Sequence, residues 1–174
     1  MKKWLKYTIG FLAVLITRLI PFRAPNLEPV MAVIMPFGKV YGGLMAFIFG
    51  VMSIVVFDSF TSGLGIWTVV TGLAYGLIGL GSYFYFKNHS GRKSYALYAF
   101  VATIVYDCLT GLTIGPLFFH QSFLASVIGQ IPFTVIHLLG NVSFAMIISP
   151  IVEGWIVKEK VTSNVVLKEE IVRV

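Results

Sequence analysis

A chain of 174 residues that is 57% hydrophobic and only 11% charged, with a mean hydropathy of +0.90, is excluded from the soluble class, where about a quarter of residues are charged. Its length fits one membrane domain of about six spans of roughly 20 residues each, with short loops. The formal net charge of +6 would suit nucleic acid, but the basic residues lie between the apolar segments. They are a topology signal, and no nucleic-acid partner is expected.

Apolar stretches cover 4–20, 29–38, 40–57, 66–86, 94–112 and 122–152, which predicts an all-α bundle of six transmembrane helices. The first stretch follows basic residues like a signal peptide. However, Arg18 and Pro21 stand where a cleavage region needs small neutral residues, so it reads as a retained span. The second is the shortest: Glu28 to Gly38 is about 16 Å of helix at 1.5 Å per residue and carries Pro29 and Pro36. It reads as a short or broken helix, tolerated at membrane depth only where protein or a watery cavity covers it. In the third and fourth stretches small residues recur at helical spacing, Gly42, Ala46 and Gly50, then Gly72, Gly76 and Gly79. Such stripes let backbones approach closely in lipid, either within the bundle or against another membrane protein.

Six crossings put Lys2, Lys3, Lys6, Lys39, Lys87, Arg92, Lys93, Lys158 and Lys160 on one side and leave only Arg18 and Arg23 on the other. The positive-inside rule makes the first side cytoplasmic, with both termini there. The expected organisation is a single domain over 1–157 and a cytoplasmic tail over 158–174, in a multi-pass protein of the cell membrane. Lone Cys108 excludes an internal disulfide and reads as a small buried apolar residue.

Two segments echo each other. Ile54 to Gly63 and Thr103 to Gly111 each end an apolar helix in one acid, Asp58 and Asp107, forty-nine positions apart. An ionisable group there is costly and needs a partner, the more so because an acid at a helix C-terminus opposes the macrodipole. Arg18 or Arg23 is the expected partner, with turn hydrogen bonds to Thr61 and Thr110. Arg18, Arg23, Asn26, Glu28, Asp58, Trp67, Asp107, His120 and Gln121 all project to the outer face. His137 and Asn141, four apart, share a face of the sixth span. They need interhelical partners or a ligand. No metal site is expected from three scattered histidines, and no nucleotide, hydrolase or thiol-redox motif is present, so neither enzyme activity nor a cofactor is expected.

The first outer loop, Arg18-Leu19-Ile20-Pro21-Phe22-Arg23-Ala24-Pro25-Asn26-Leu27-Glu28-Pro29, followed by a short second helix and by Asp58-x-x-Thr61, resembles the substrate-binding (S) component of an energy-coupling-factor transporter over roughly residues 5–155. The resemblance implies capture of a vitamin or related micronutrient from outside. It also implies delivery by toppling against a transmembrane T subunit driven by two cytoplasmic ATPases. The implied ligand site maps onto Arg23, Asn26, Glu28, Asp58, Trp67, Asp107, His120 and His137, with Arg18 and Asn141 beside them. Many S components dock their T subunit through an Ala-x-x-x-Ala stripe on the first helix, a pattern this chain lacks. Gly42, Ala46 and Gly50 are the alternative docking stripe. Anionic, zwitterionic and neutral heterocyclic ligands all remain open, and Trp67, Phe22, Phe118 and Phe119 suit an aromatic one. Two rivals stand beside this reading: a structural scaffold resembling the rod-shape-determining proteins, and an intramembrane enzyme built on Asp107 and a histidine.

Overall fold

A computed structural model describes residues 3–21 and 28–172, with side chains for 4–21 and 28–157. Phe22, Arg23, Asn26 and the terminal lysines Lys2, Lys3, Lys158 and Lys160 therefore lie outside the described side chains. The described chain is helical without strands: α1 Lys3–Leu19, α2 Val30–Tyr41, α3 Gly43–Phe60, α4 Ile66–Phe86, α5 Arg92–Gly111, the one-turn α6 Ile114–Phe118 and α7 Phe123–Val172. This is the expected all-α bundle with a short second helix. The spans Gly43–Phe60, Ile66–Phe86, Arg92–Phe118 and Phe123–Val157 are long and apolar enough to cross a membrane. Leu73, Leu77, Phe84, Leu97, Phe100, Ile136 and Leu139 are exposed on the outside of this bundle, a surface suited to lipid and not to water. At 50 residues α7 is about 75 Å long, more than the bilayer needs, so it continues as helix through the stretch expected to form a tail.

Helix ends follow backbone chemistry. Pro21 disfavours helical geometry at the residue before it, and α1 stops at Leu19. Gly42 separates α2 from α3 at φ +97° and Gly91 precedes α5 at φ +88°, conformations that glycine adopts without a Cβ penalty.

The short α2 is the centre of the molecule. Every residue from Val30 to Gly38 is buried, and α2 packs against α3, α4 and α7, with lesser contacts to α1 and α5. Pro36 has no N–H, so the carbonyl of Ala32, four residues back, loses its helical donor. The hydroxyl of Ser149 on α7, fully buried, donates to that oxygen at 2.7 Å. The broken hydrogen bond is thus made good from a neighbouring helix, as a water-free environment demands.

Helix α3 packs most extensively on α4, and the small-residue stripes meet there. A Cβ on Gly50 would stand 2.5 Å from the Tyr75 carbonyl oxygen, and one on Gly79 would stand 2.4 Å from that of Ala46. Ala46 itself is fully buried. Ala46 and Gly50 are therefore consumed inside the bundle and not offered to a docking partner, while Gly42 sits at the α2–α3 junction. Cys108 also departs from expectation: it is exposed on the outer side of α5.

At the other end of the bundle Lys39 on α2 pairs with Glu153 on α7 at 2.6 Å, and Tyr95 on α5 donates to the second Glu153 oxygen at 2.9 Å. The Lys6 ammonium on α1 donates to the Trp155 carbonyl at 2.8 Å. Four helices are tied together at that end.

Candidate functional site

Antiparallel succession brings the last turns of α1, α3 and α5 and the first turn of α4 to one end, and three groups of polar side chains collect there. In the first, the Arg18 Nε lies 2.7 Å from Glu28 Oε2. Its guanidinium also donates to the Ser53 carbonyl at 3.0 Å and lies 4.1 Å from the centroid of the Phe57 ring. Arg18, only 8% exposed, fastens the end of α1 to α3. Charge, hydrogen bond and cation–π contact are all satisfied by one planar group.

In the second group, buried Asp58 accepts a 2.6 Å hydrogen bond from Thr68 Oγ1. Thr68 occupies the third position of α4 and in turn accepts from the Gly65 N–H at 3.2 Å. The carboxylate thus lies beside a helix N-terminus, whose partial positive charge offsets the unfavourable end of α3. Thr61 and Thr110 do not bond the acids as expected. Their hydroxyls return to the carbonyls of Phe57 and Tyr106, four residues back, at 2.8 and 2.9 Å. Trp67 is half-buried in the first turn of α4 with its ring over Gly65, and its indole N–H is buried without a partner.

The third group is the deepest. Asp107 Oδ1 and His137 Nδ1 are 2.7 Å apart, with side chains 1% and 3% exposed. Of the two arginines expected to hold Asp107, Arg18 pairs with Glu28 instead and Arg23 lies outside the described residues; among the described residues the partner of Asp107 is a histidine of α7. The reason is register: Asp107 and Thr103 lie one turn apart on α5, His137 and Asn141 one turn apart on α7, and the two faces meet. Asn141 Nδ2 donates to Thr103 Oγ1 at 2.9 Å, and the Thr103 hydroxyl points to the Met31 sulfur of α2 at 3.7 Å. Tyr106 and Phe133 flank the imidazole edge-on, with ring centroids 5.6 and 5.7 Å away. Tyr75 packs on Tyr106 at 4.6 Å.

Four buried polar atoms in this third group have no hydrogen-bond partner among the described residues: Asp107 Oδ2, His137 Nε2, Asn141 Oδ1 and Tyr75 Oη. Native proteins leave few such atoms, and each one needs an explanation. A bound water, ion or solute is what completes such atoms.

Of the residues expected at the site, Arg18, Glu28, Asp58, Trp67, Asp107, His137 and Asn141 gather at or below this end. His120 does not join them: it is exposed in the turn between α6 and α7, at φ +55°. Arg23 and Asn26 lie outside the described residues. Sequence reasoning missed Tyr75, Thr103 and Tyr106. The signal for Thr103 was its position one turn before Asp107. Among the described residues no group of three histidines, cysteines or carboxylates could hold a metal ion. A groove of about 300 Å3 is lined by Leu112, Val127, Gln130, Ile131, Thr134 and Val135, none of them a member of the polar cluster. Comparison with protein-family models, curated proteins and solved structures finds no match for this chain.

Proposed function

We propose that this protein is the membrane-embedded solute-binding subunit of an importer of the energy-coupling-factor type, taking a vitamin-like micronutrient from the outer side and handing it to a transmembrane T subunit powered by two cytoplasmic ATPases. The observation that carries the reading is the set of four buried, unpartnered polar atoms around Asp107 and His137. A group of that kind is expensive inside a membrane protein and is accounted for by an occupant that completes its hydrogen bonds. A scaffold has no use for it. In this reading the protein lies in the cell membrane with both termini cytoplasmic, and Arg18, Glu28 and Asp58 brace the outer end around the site.

One observation favours a second reading. The 2.7 Å Asp107–His137 contact is within the reach an intramembrane acid–base catalyst requires. Among the described residues the imidazole Nε2 has no hydroxyl or thiol as a hydrogen-bond partner, so no nucleophile of the triad kind is in place among them. Uptake separates the readings. Cells expressing this chain with its T subunit and ATPases should accumulate the solute that copurifies with it, and cells lacking either partner should not. Accumulation without the ATPases, or chemical conversion of the solute by the purified chain alone, would overturn the proposal.

A further inference from the structure

The open atoms of the third group define the ligand's chemistry, an inference that rests on the reading of that group as a solute site. Which atoms are open follows from donor accounting. The Thr103 hydroxyl directs its one proton toward Met31 Sδ and so accepts from the Asn141 amide nitrogen, leaving the amide oxygen free. Asp107 spends Oδ1 on the His137 Nδ1–H and keeps Oδ2 free. Both of these free atoms are acceptors. His137 Nε2 accepts in the neutral ring and donates in the imidazolium, and the fourth open atom, Tyr75 Oη, can donate or accept, so neither changes the requirement set at the other two. Asp107 and His137 are tied together, and Asn141 follows His137 by one helical turn, about 6 Å along the axis. The flanking surfaces are the rings of Tyr75, Tyr106 and Phe133.

We infer that the site takes a flat heterocycle bearing an amino or amidine group, neutral or cationic, which donates N–H bonds to Asp107 Oδ2 and Asn141 Oδ1 and lies among the three aromatic rings. A ligand that met Asp107 Oδ2 and Asn141 Oδ1 through a carboxylate or phosphate is excluded. It would bring acceptors to two acceptors and a negative charge to a buried carboxylate, and the penalty for such mispairing is discrimination of several orders of magnitude. A planar N–H fork is instead the geometric complement of a carboxylate.

Two probes of equal shape and opposite chemistry test this: benzamidine, a planar cation with four N–H groups, and benzoate, a planar anion with acceptors only. With the purified full-length protein in detergent, benzamidine should raise the melting midpoint in a concentration-dependent way, since a ligand bound only by the folded state stabilises it. Benzoate should leave the midpoint unchanged. Asp107→Asn should abolish the benzamidine response. Asn141→Asp, which keeps the shape and adds a charge, should lower the half-saturating benzamidine concentration roughly tenfold, measured against that variant's own ligand-free midpoint, which a purely structural role for Asn141 would not do. Stabilisation by benzoate equal to or above that by benzamidine would overturn the ligand class while leaving the subunit a binding protein. No shift with either probe, the result expected if water alone bridges these atoms, would overturn the inference as well. A benzamidine response in a protein whose uptake proves independent of ATPases would keep the ligand class and remove the importer.

Discussion

The bond from Ser149 to the Ala32 carbonyl gives the sharpest energetic expectation. Pro36 deprives that oxygen of its helical donor, and the oxygen lies in a segment where every residue is buried. Ser149→Ala should therefore leave a carbonyl with neither water nor N–H to turn to, at a cost of about 1–3 kcal/mol. Polar contacts between membrane helices average nearer 0.6 kcal/mol, because the unfolded chain in lipid also finds partners, and that value is the lower bound here. A double-mutant cycle isolates the effect. In a Pro36→Ala background the N–H of residue 36 can bond Ala32 again, and Ser149→Ala should then cost a few tenths of a kcal/mol. The readout is equilibrium unfolding of the purified protein in mild detergent for the parent, the two single variants and the double variant. Equal cost of Ser149→Ala in both backgrounds would show that the hydroxyl is not replacing the missing donor, and the explanation of how α2 tolerates its proline would fail.

Other expectations follow from the packing and the charges. Gly50→Ala puts a methyl 2.5 Å from the Tyr75 carbonyl oxygen, so α3 and α4 must separate by nearly 1 Å, at about 1–3 kcal/mol. Gly129→Ala, which meets nothing within 4 Å, should instead stabilise by roughly 0.5–1 kcal/mol, and thermal melts that rank the two alike would refute the interface. Arg18→Ala removes the pair with Glu28, the bond to Ser53 and the contact with Phe57; the cost should approach the 3–5 kcal/mol typical of breaking a buried ion pair, with Arg18→Lys recovering part of it in the same melt. For topology, a cysteine at Arg92 should resist an impermeant thiol reagent in intact cells, whereas one at Gln121, in a Cys108→Ala background, should react. Labelling at 92 would overturn the six-span count.

The helical bundle was legible because spans in lipid must satisfy their backbone internally and so appear as long apolar runs. The buried acids were legible for the same reason: Asp58 and Asp107 stand out against apolar neighbours. Their partners were not. A period of 3.6 shows that His137 and Asn141 share a face, but it does not say which helix that face meets. The meeting of α5 and α7 that pairs His137 with Asp107 is a fact of tertiary register. The same limit applies to the glycine stripes, whose spacing is identical whether they face α4 or a separate protein. Nor does the shortness of α2 in sequence reveal that it is central, because burial by neighbours leaves no trace in its own apolar pattern. Glu153 carried a readable signal, an acid just past the last apolar stretch on the side where the lysines collect, and the Lys39–Glu153–Tyr95 network is its structural consequence.

The central claim is that the open polar atoms around Asp107 and His137 hold a solute, and native mass spectrometry of the protein purified from cells in rich medium tests it most directly. The account predicts a non-covalent small-molecule adduct on the unmodified protein that is absent from the Asp107→Asn variant and strongly reduced in His137→Ala, with both variants retaining their fold by circular dichroism. A spectrum in which unmodified protein and variants carry the same lipid and detergent adducts, and nothing else, would contradict it.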